Sequence, residues 1–450
     1  MFISDSSDHL MKKLNLFLFI LVGMTTWMGC STTRQVGGMP EVQSSRSPGE
    51  RTARQTEKPV ADEPLASDPQ LLNIYSKFLN LDSSSIRVYY FIDAYVGSQR
   101  MAIEDFQKTF TLNYVIYSDY GTRDRLGYGN VPLVEANVFP AGKRIGIWVD
   151  VKKPANKESG VLLTEITQPG TLRKMLNDLQ VRFDNEQRTS DRYGVFVDGN
   201  AVPHDHHFVR LDQTFTVKKI SGNQGEMTVD FYRHVFDPAI SPMNTKTNIN
   251  TESLTADRTF TVQAGQELRL EEEGLYYFRS DTTKKEGIGI LATDSRFPKM
   301  TRPEKLVEPL RYMSTNQEIS TIDRADDFKK SLDRYWLNLT SGNTELAKNS
   351  IKNYYSRVEE ANQLFTSYKE GWKTDKGMLF IILGPPDRVQ KSKDKEVWVY
   401  DRRANATNVN FTFNRKTNQF VDDHYELVRY VEYQPIWYPS VEAWRNGSIR

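Results

Sequence analysis

The fold of the carboxy-terminal third depends on one stretch of sequence, Gly371-Trp372-Lys373-Thr374-Asp375-Lys376-Gly377 followed by Met378-Leu379-Phe380-Ile381-Ile382-Leu383 and Gly384-Pro385-Pro386-Asp387. We predict that Gly371 is the C′ residue of a preceding helix and that Trp372 is buried. Thr374 and Asp375 are expected to bond local backbone groups in a tight turn. Because 378–383 is apolar throughout, it favours a central strand that begins after the motif.

Helices are predicted before this stretch and strands after it. Apolar residues spaced at three and four predict helices over 323–339 and 345–368, the second capped by Asn343 or Thr344. The short link between them makes an antiparallel hairpin. We expect a small sheet against this hairpin, with strands over 396–400, 409–413 and 420–421 and a turn over 414–418.

This part of the chain resembles the GWxTD domain of bacterial lipoproteins over about 300–450. Besides the motif itself, the resemblance rests on Tyr355, Arg357, Ala361, Asn362 and Phe365 upstream and on Glu396-Val397-Trp398-Val399-Tyr400 downstream. It implies a lipoprotein of Gram-negative bacteria with no assigned catalytic activity. The residues that it makes candidates for a structural site are Arg357, Asn362, Gly371, Trp372, Thr374, Asp375, Gly377, Gly384, Pro385, Pro386 and Trp398.

A catalytic interpretation of the charged residues is the alternative. Arg357, Asp375 and Lys376 are charged groups around a Trp that is predicted to be buried, as occurs in active sites. A buried structural bridge between Arg and Asp would give the same pattern. Lys376 also stands where the family is expected to have Arg, so bidentate geometry is lost. The chain has no nucleophile-elbow, phosphate-loop or zinc-protease motif, and we therefore expect no catalytic residues.

The middle of the chain is predicted to be rich in β-structure. From Ile86 onward apolar residues alternate with others between turns, which is typical of half-buried strands. Ser67-Asp68-Pro69 and the apolar stripe that follows predict a short helix ahead of them. The expected fold class is mainly β with an α+β carboxy-terminal domain: two antiparallel β-sandwich-like domains, 67–195 and 196–300, then a helical hairpin packed on a small sheet, 301–450.

The segment His204-Asp205-His206-His207 is the candidate metal site. Imidazoles and carboxylates suit zinc, copper or nickel, but on a strand His204 and His206 share one face and His207 lies on the other. A third ligand would then have to come from elsewhere, for instance His234. The alternative interpretation is an exposed turn.

The amino terminus has the features of a lipoprotein signal. A pair of lysines precedes a short apolar run over 14–22, which is too short to span a bilayer as a helix. The only cysteine, Cys30, follows Gly29 and precedes Ser31, and this arrangement resembles the lipobox of bacterial lipoproteins. A free core cysteine, or ordinary secretory cleavage nearby, is the alternative.

From these features we predict a signal peptide over 1–30, with Met11 as the initiator, and a disordered tether over 31–66. The lipobox resemblance implies that Cys30 is acylated and that the lipid anchors the protein in the membrane. We expect the protein to be lipid-anchored in the outer membrane and to face the periplasm.

Length, composition and charge limit the remaining function classes. The chain has 450 residues, of which 38% are hydrophobic, so global disorder is excluded. A formal net charge of +1 offers no field that attracts nucleic acid, and a single cysteine excludes an internal disulfide. We expect a non-enzymatic lipoprotein without a cofactor, acting as an interaction or scaffold component of envelope machinery through an envelope protein partner. The alternative is a periplasmic lipoprotein that binds a glycan or a metal, or a hydrolase.

Overall fold

Alternating apolar residues in the first part of the chain form two antiparallel sheets that share one core. The computed structural model describes residues 69–245, 254–401 and 408–449. The first elements are β1 (Pro69–Asn80), β2 (Ser85–Val96), β3 (Gln99–Arg100), α1 (Ile103–Thr109), β4 (Thr111–Tyr117), β5 (Arg125–Val131), β6 (Val138–Ala141), β7 (Arg144–Lys152), β8 (Ser159–Thr167) and β9 (Lys174–Arg182). One sheet has the order β1-β2-β7-β6 with β3 beside β2, and the other has the order β5-β4-β8-β9. Ile92 of the first sheet and Ile166 of the second are both fully buried in the core between them.

The helix predicted ahead of this sandwich is wrong, because residues 69–80 form the strand β1. β1 pairs antiparallel with β2 along its whole length, from Pro69 opposite Val96 to Asn80 opposite Ile86. The register shifts between Leu71 and Asn73, and such a bulge breaks the period of two along the strand. The apolar residues of this segment are therefore spaced as in a helix. Pairing with the long neighbouring strand β2 nevertheless makes the segment a strand.

A second β block follows, with one large sheet and one strand pair around their own core. Its elements are α2 (Thr189–Arg192), β10 (Gly194–Val197), β11 (Phe208–Arg210), β12 (Phe215–Lys218), β13 (Glu226–Tyr232), β14 (Arg258–Gln263), β15 (Gly274–Arg279) and β16 (Ile288–Thr293). The large sheet has the order β11-β16-β15-β13-β14, in which β11 is parallel to β16 and the other pairs are antiparallel, while β10 pairs with β12. Leu79 and Phe91 of the first block pack with Phe196 of β10, which joins the two blocks.

The carboxy-terminal part combines helices with a four-stranded antiparallel sheet of order β17-β18-β19-β20. Its elements are α3 (Pro303–Leu306), α4 (Asn316–Asp323), α5 (Phe328–Leu339), α6 (Thr344–Phe365), α7 (Asp375–Leu383), β17 (Arg388–Lys391), β18 (Lys395–Asp401), β19 (Asn408–Arg415), β20 (Tyr425–Leu427) and α8 (Gln434–Arg445). Trp336 of α5, Tyr354 of α6 and Trp444 of α8 are buried in one core. The side chain of Asn343 caps α6, as predicted. The expected fold class is confirmed: the protein is mainly β, with an α+β carboxy-terminal part.

The strand predicted over 378–383 is wrong, because these residues belong to the helix α7. Thr374 starts the helix by accepting a hydrogen bond from the amide of Gly377. Met378 to Ile382 are all buried. A helix that is buried on every side shows no polar face, so its sequence is indistinguishable by periodicity from that of a buried strand.

Several predicted boundaries in this part also need correction. Gly371 is not a helix C′ residue, since α6 ends at Phe365 and the connection to the motif begins at Thr366. The helix predicted over 323–339 corresponds to α5, which begins only at Phe328 after the cap Asp327, and α4, which ends at Asp323, was not predicted. The last strand of the sheet is β20 rather than 420–421, so the connection from β19 is longer than the predicted turn over 414–418.

The predicted lipidation residue Cys30, the initiator Met11, the signal peptide over 1–30 and the tether over 31–66 lie outside the described residues. Among the helices that are described, none is both long and apolar enough to cross a bilayer.

Candidate functional site

The motif turn, residues 371–377, connects α6 to α7 and bonds its own backbone. A 3₁₀ turn covers Gly371–Lys373. The hydroxyl of Thr374 donates to the carbonyl of Gly371 at 2.7 Å and accepts from the amide of Gly377 at 3.0 Å. The prediction that Thr374 bonds backbone groups in a tight turn is confirmed.

Glycine is required at both ends of the motif turn because other backbone lies against them. A Cβ atom on Gly371 would lie 2.0 Å from the carbonyl oxygen of Ala361 in α6, and one on Gly377 would lie 1.9 Å from the carbonyl oxygen of Gly371. Real Cβ contacts are never this short, and the contacted atoms are backbone, which cannot move aside cheaply. The two glycines therefore let the turn close on itself and on α6.

Asn362 ties the motif turn to the rest of the domain. This side chain is fully buried, and its Oδ1 accepts from the amide of Trp372 at 3.0 Å while its Nδ2 donates to the carbonyl of Pro298 at 3.1 Å. Trp372 is buried, as predicted, and its carbonyl accepts from the hydroxyl of Tyr312 at 2.8 Å. Buried backbone groups outside regular structure need such partners, and Asn362 supplies one of them.

Asp375 is paired with an arginine that the sequence interpretation did not consider. Its Oδ1 accepts from Nη2 of Arg429 at 2.5 Å, and its Oδ2 accepts from the amide of Leu427 in β20 at 2.7 Å. The carboxylate is buried and lies in the first turn of α7, where a negative charge is favoured by the helix dipole. The prediction that Asp375 bonds local backbone groups is therefore wrong, and this side chain joins the motif turn to the last strand of the sheet instead.

Lys376 forms a further ion pair of the motif turn. Its Nζ donates to Oε2 of Glu396 at 2.7 Å and lies 3.9 Å from the ring centroid of Tyr425. Oε1 of Glu396 accepts from Nε1 of Trp398 at 2.6 Å, so the buried Trp398 holds the carboxylate in place. Burial lowers the pKa of Lys376, and Glu396 opposes that shift.

Arg357 does not join Asp375 and Lys376, so the charged set considered for catalysis is not assembled in the described part of the chain. Its Nη1 donates to the carbonyl of Phe380 at 3.3 Å, near the end of α7 opposite to Asp375. A cation is favoured at a helix carboxyl end, which explains why Arg357 lies there.

Gly384 ends α7 beside this arginine. It has a φ of +84°, and a Cβ atom there would lie 2.8 Å from Nη1 of Arg357. Pro385 is exposed and Pro386 is half-buried, and both follow the end of the helix rather than the end of a strand.

Residues 274–446, which include the motif turn, match the family model of the GWxTD domain. The match begins at β15, earlier than the expected 300, so the GWxTD domain includes two strands of the second β block. No curated protein matches the chain.

The GWxTD domain also bonds a segment of the second β block, residues 237–242, that forms neither helix nor strand. Nζ of Lys369 donates to the carbonyl of Asp237 at 2.8 Å, and the amide of Ala239 donates to the carbonyl of Lys373 at 2.9 Å. Further along, Nη2 of Arg429 is 3.5 Å from the carbonyl oxygen of Ile240, and the amide of Tyr430 donates to the carbonyl of Pro242 at 3.1 Å. No local pattern in the sequence predicts these contacts, because the partners are far apart along the chain.

The candidate metal-binding histidines are not arranged as ligands. Residues 204–207 do not form a strand. Nε2 of His204 is 3.1 Å from the carbonyl oxygen of Phe208, and His206 lies 3.7 Å from the carboxylate of Asp205, while His234 packs on Phe236. Within residues 69–245, 254–401 and 408–449, no group of three or more His, Cys, Asp or Glu side chains could hold a metal ion. Residues 205–207 form a bend, so the alternative of a turn fits the backbone, but His204, Asp205 and His206 are half-buried rather than exposed.

A cleft of about 2730 Å³ is lined by residues 237–241 and by residues of the GWxTD domain. Polar and aromatic side chains line it, among them His234, Tyr368, Lys369, His424 and Tyr438. Burial lowers the pKa of Lys369 to about 8. The cleft borders the motif turn, since Thr374, Asp375 and Lys376 contribute to its wall.

Proposed function

We propose that the protein is a non-enzymatic lipoprotein of a Gram-negative envelope that docks onto an envelope protein through its GWxTD domain. An acylated Cys30 anchors it in the outer membrane, where it faces the periplasm. The lipobox-like sequence around Cys30 supports the anchor, and the family match over 274–446 supports the assignment of the domain.

The observation that carries the docking proposal is an exposed apolar stretch on the GWxTD domain. Tyr430, Val431 and Tyr438 are each about half exposed, at 48%, 52% and 56%. Exposed large side chains are characteristic of protein interaction sites when they adjoin one another, as Tyr430 and Val431 do along the chain, and Tyr is enriched among the residues that dominate binding energy. By contrast, Thr374, Asp375 and Lys376 are each engaged within the fold.

The proposal is tested by purifying the tagged full-length protein from its own membranes in mild detergent. Tyr430→Ala with Tyr438→Ala is compared with Tyr128→Ala, since Tyr128 is 80% exposed but lies in the first sandwich. We expect a stoichiometric membrane partner that the double variant loses and the Tyr128 variant keeps. A Cys30→Ala variant should leave the membrane fraction. A partner that is retained by the double variant would contradict docking through this stretch.

A second candidate function is the binding of an envelope glycan, and the cleft beside the motif turn favours it. Aromatic rings such as Tyr368 and Tyr438 offer stacking surfaces there, and charged groups such as Lys369 offer hydrogen bonds. Calorimetric titration with an oligosaccharide of N-acetylglucosamine tests this candidate. Saturable heat that is reduced in a Tyr438→Ala variant would support it, and a flat titration would contradict it.

A further inference from the structure

The connection between β13 and β14 is far longer than their pairing requires. The two strands are antiparallel neighbours with Phe231 opposite Arg258, and such strands can be joined by a two-residue turn. Residues 233–257 connect them instead. The described start of this connection leaves its own sheet and reaches the GWxTD domain, where residues 237–242 lie against the motif turn. The extra length indicates that this connection serves to make the contact between residues 237–242 and the GWxTD domain.

The GWxTD domain recognises this segment mainly through its backbone. The carbonyls of Asp237, Ile240 and Pro242 and the amide of Ala239 all have partners in the GWxTD domain, whereas the side chains of Asp237 and Ile240 are exposed. Side-chain selection is confined to a few small or apolar positions, since Pro242 is buried and Ala239 and Met243 pack on the domain core. Main-chain bonds combined with a few side-chain contacts are the means by which proteins bind extended peptides.

Two prolines prepare the segment for this mode of binding. A residue that precedes proline is biased towards extended conformations, and both Asp237 and Ser241 precede one. Pro242 itself lies in a turn, in which the amide of Asn244 donates to the carbonyl of Ser241 at 3.0 Å. A segment whose backbone is already restricted in these ways loses less entropy when it binds. The chemistry of the bound segment therefore defines its class: a short polypeptide with prolines at two positions and a small residue, Ala239, directly after the first of them.

We propose that Lys369, the carbonyl of Lys373, Arg429 and the amide of Tyr430 form a peptide-binding seat that residues 237–242 occupy within the chain and that a proline-containing extended segment of a partner protein enters in their place. The inference rests on the proposed docking function and names the site and the partner chemistry. Lys369 suits such a role because its ammonium group donates to a carbonyl oxygen, which any peptide presents, rather than to a side chain of fixed identity.

The test is a fluorescence polarisation titration with a labelled peptide of residues 233–245. It is added to the full-length protein and to an Ala239→Pro variant, in which the internal segment lacks the amide that bonds Lys373. We expect saturable binding that is tighter to the variant, because the internal competitor is weakened. Adding Lys369→Met to that variant should weaken binding about tenfold or more, the usual effect of losing a hydrogen bond to a charged group. A control peptide that carries the same Ala239→Pro change also lacks this amide. It should bind the Ala239→Pro protein at least as weakly as the unchanged peptide binds the protein that also carries Lys369→Met.

Two outcomes would overturn the seat. One is that the peptide shows no saturable binding to either the wild-type protein or the folded variant, up to its highest soluble concentration. The other is that the peptide binds equally well with and without the Lys369 side chain. A Pro242→Gly variant, which loosens the internal segment without removing a donor, replaces Ala239→Pro if circular dichroism shows that the latter is unfolded. The result is separable from that of the docking proposal. A membrane partner without peptide binding would leave docking in place and reject the seat, and peptide binding without a partner would do the reverse.

Discussion

Arg429 holds the carboxylate of Asp375 at 2.5 Å and so connects the first turn of α7 to the end of β20. Asp375 is buried and Arg429 is half-buried, and the amide of Leu427 donates to the second carboxylate oxygen. The aspartate of the motif therefore acts as a junction between helix and sheet, and its contacts are directed into the fold.

The first prediction concerns this pair. Asp375→Ala should lower the free energy of unfolding by about 3 kcal/mol, because the largely desolvated guanidinium of Arg429 would lose its counter-charge and the amide of Leu427 its acceptor. Urea unfolding followed by circular dichroism measures the change. Asp401→Ala is the matched control, since Asp401 pairs with Arg388 at the surface, and it should cost less than about 1 kcal/mol. Equal, small losses in both variants would show that the buried pair is not structural.

The second prediction concerns the glycine at the start of the motif turn. Gly371→Ala should destabilise the protein by about 3 kcal/mol or more, since the new methyl group would overlap the carbonyl of Ala361 and backbone would have to move. Gly127→Ala is a suitable comparison. Its Cβ would lie 3.5 Å from Cδ1 of Ile116, an ordinary contact. A thermal melt of Gly371→Ala that matches that of Gly127→Ala would refute the close-packing explanation.

The third prediction is a loss of stability in mild acid that originates at His204. Burial lowers the pKa of His204 to about 4 from its usual 6.5, so between these values the unfolded chain binds a proton that the folded protein does not. Stability due to this residue is therefore complete above about pH 6.5, falls as the pH decreases towards 4, and changes no further below that. His204→Gln keeps an N–H that can donate to the carbonyl of Phe208 but does not titrate.

Burial also lowers the pKa values of His206 and His207, and carboxylates with lowered pKa values, such as Glu318, lose stability in acid as well, so the measurement is the difference between the two proteins. Denaturant unfolding from pH 7 to pH 4 should show a shallower decline for His204→Gln than for the wild type. Parallel curves would mean that His204 is not the origin of the loss.

Local sequence signals predicted much of the fold, but they predicted few of the ion pairs and hydrogen bonds at the motif turn. The cap at Asn343 and the helix α6 were predictable because capping and an apolar stripe act within a few residues. The strand β1 was not, because its bulge hides the period of two, and α7 was not, because a fully buried helix has no polar face. The partner of Asp375 could not be predicted either. Arg357 and Arg429 carry the same charge, and only the packing of β20 against α7 selects between them.

The last prediction concerns the coupling between Lys376 and Glu396, the ion pair at the end of the motif turn. Lys376→Met alone should cost about 3–5 kcal/mol, because it leaves the carboxylate of Glu396 buried with only the indole of Trp398 as a donor. Glu396→Gln alone removes the buried charge that Lys376 faces and should also destabilise the protein. In the double variant no unpaired charge remains, so its loss should be smaller than the sum of the two single losses by about 1–3 kcal/mol. Urea unfolding of the four proteins gives this coupling energy directly. Losses that add within about 0.5 kcal/mol would show that Lys376 and Glu396 act independently and that the 2.7 Å contact contributes nothing to the stability of the turn.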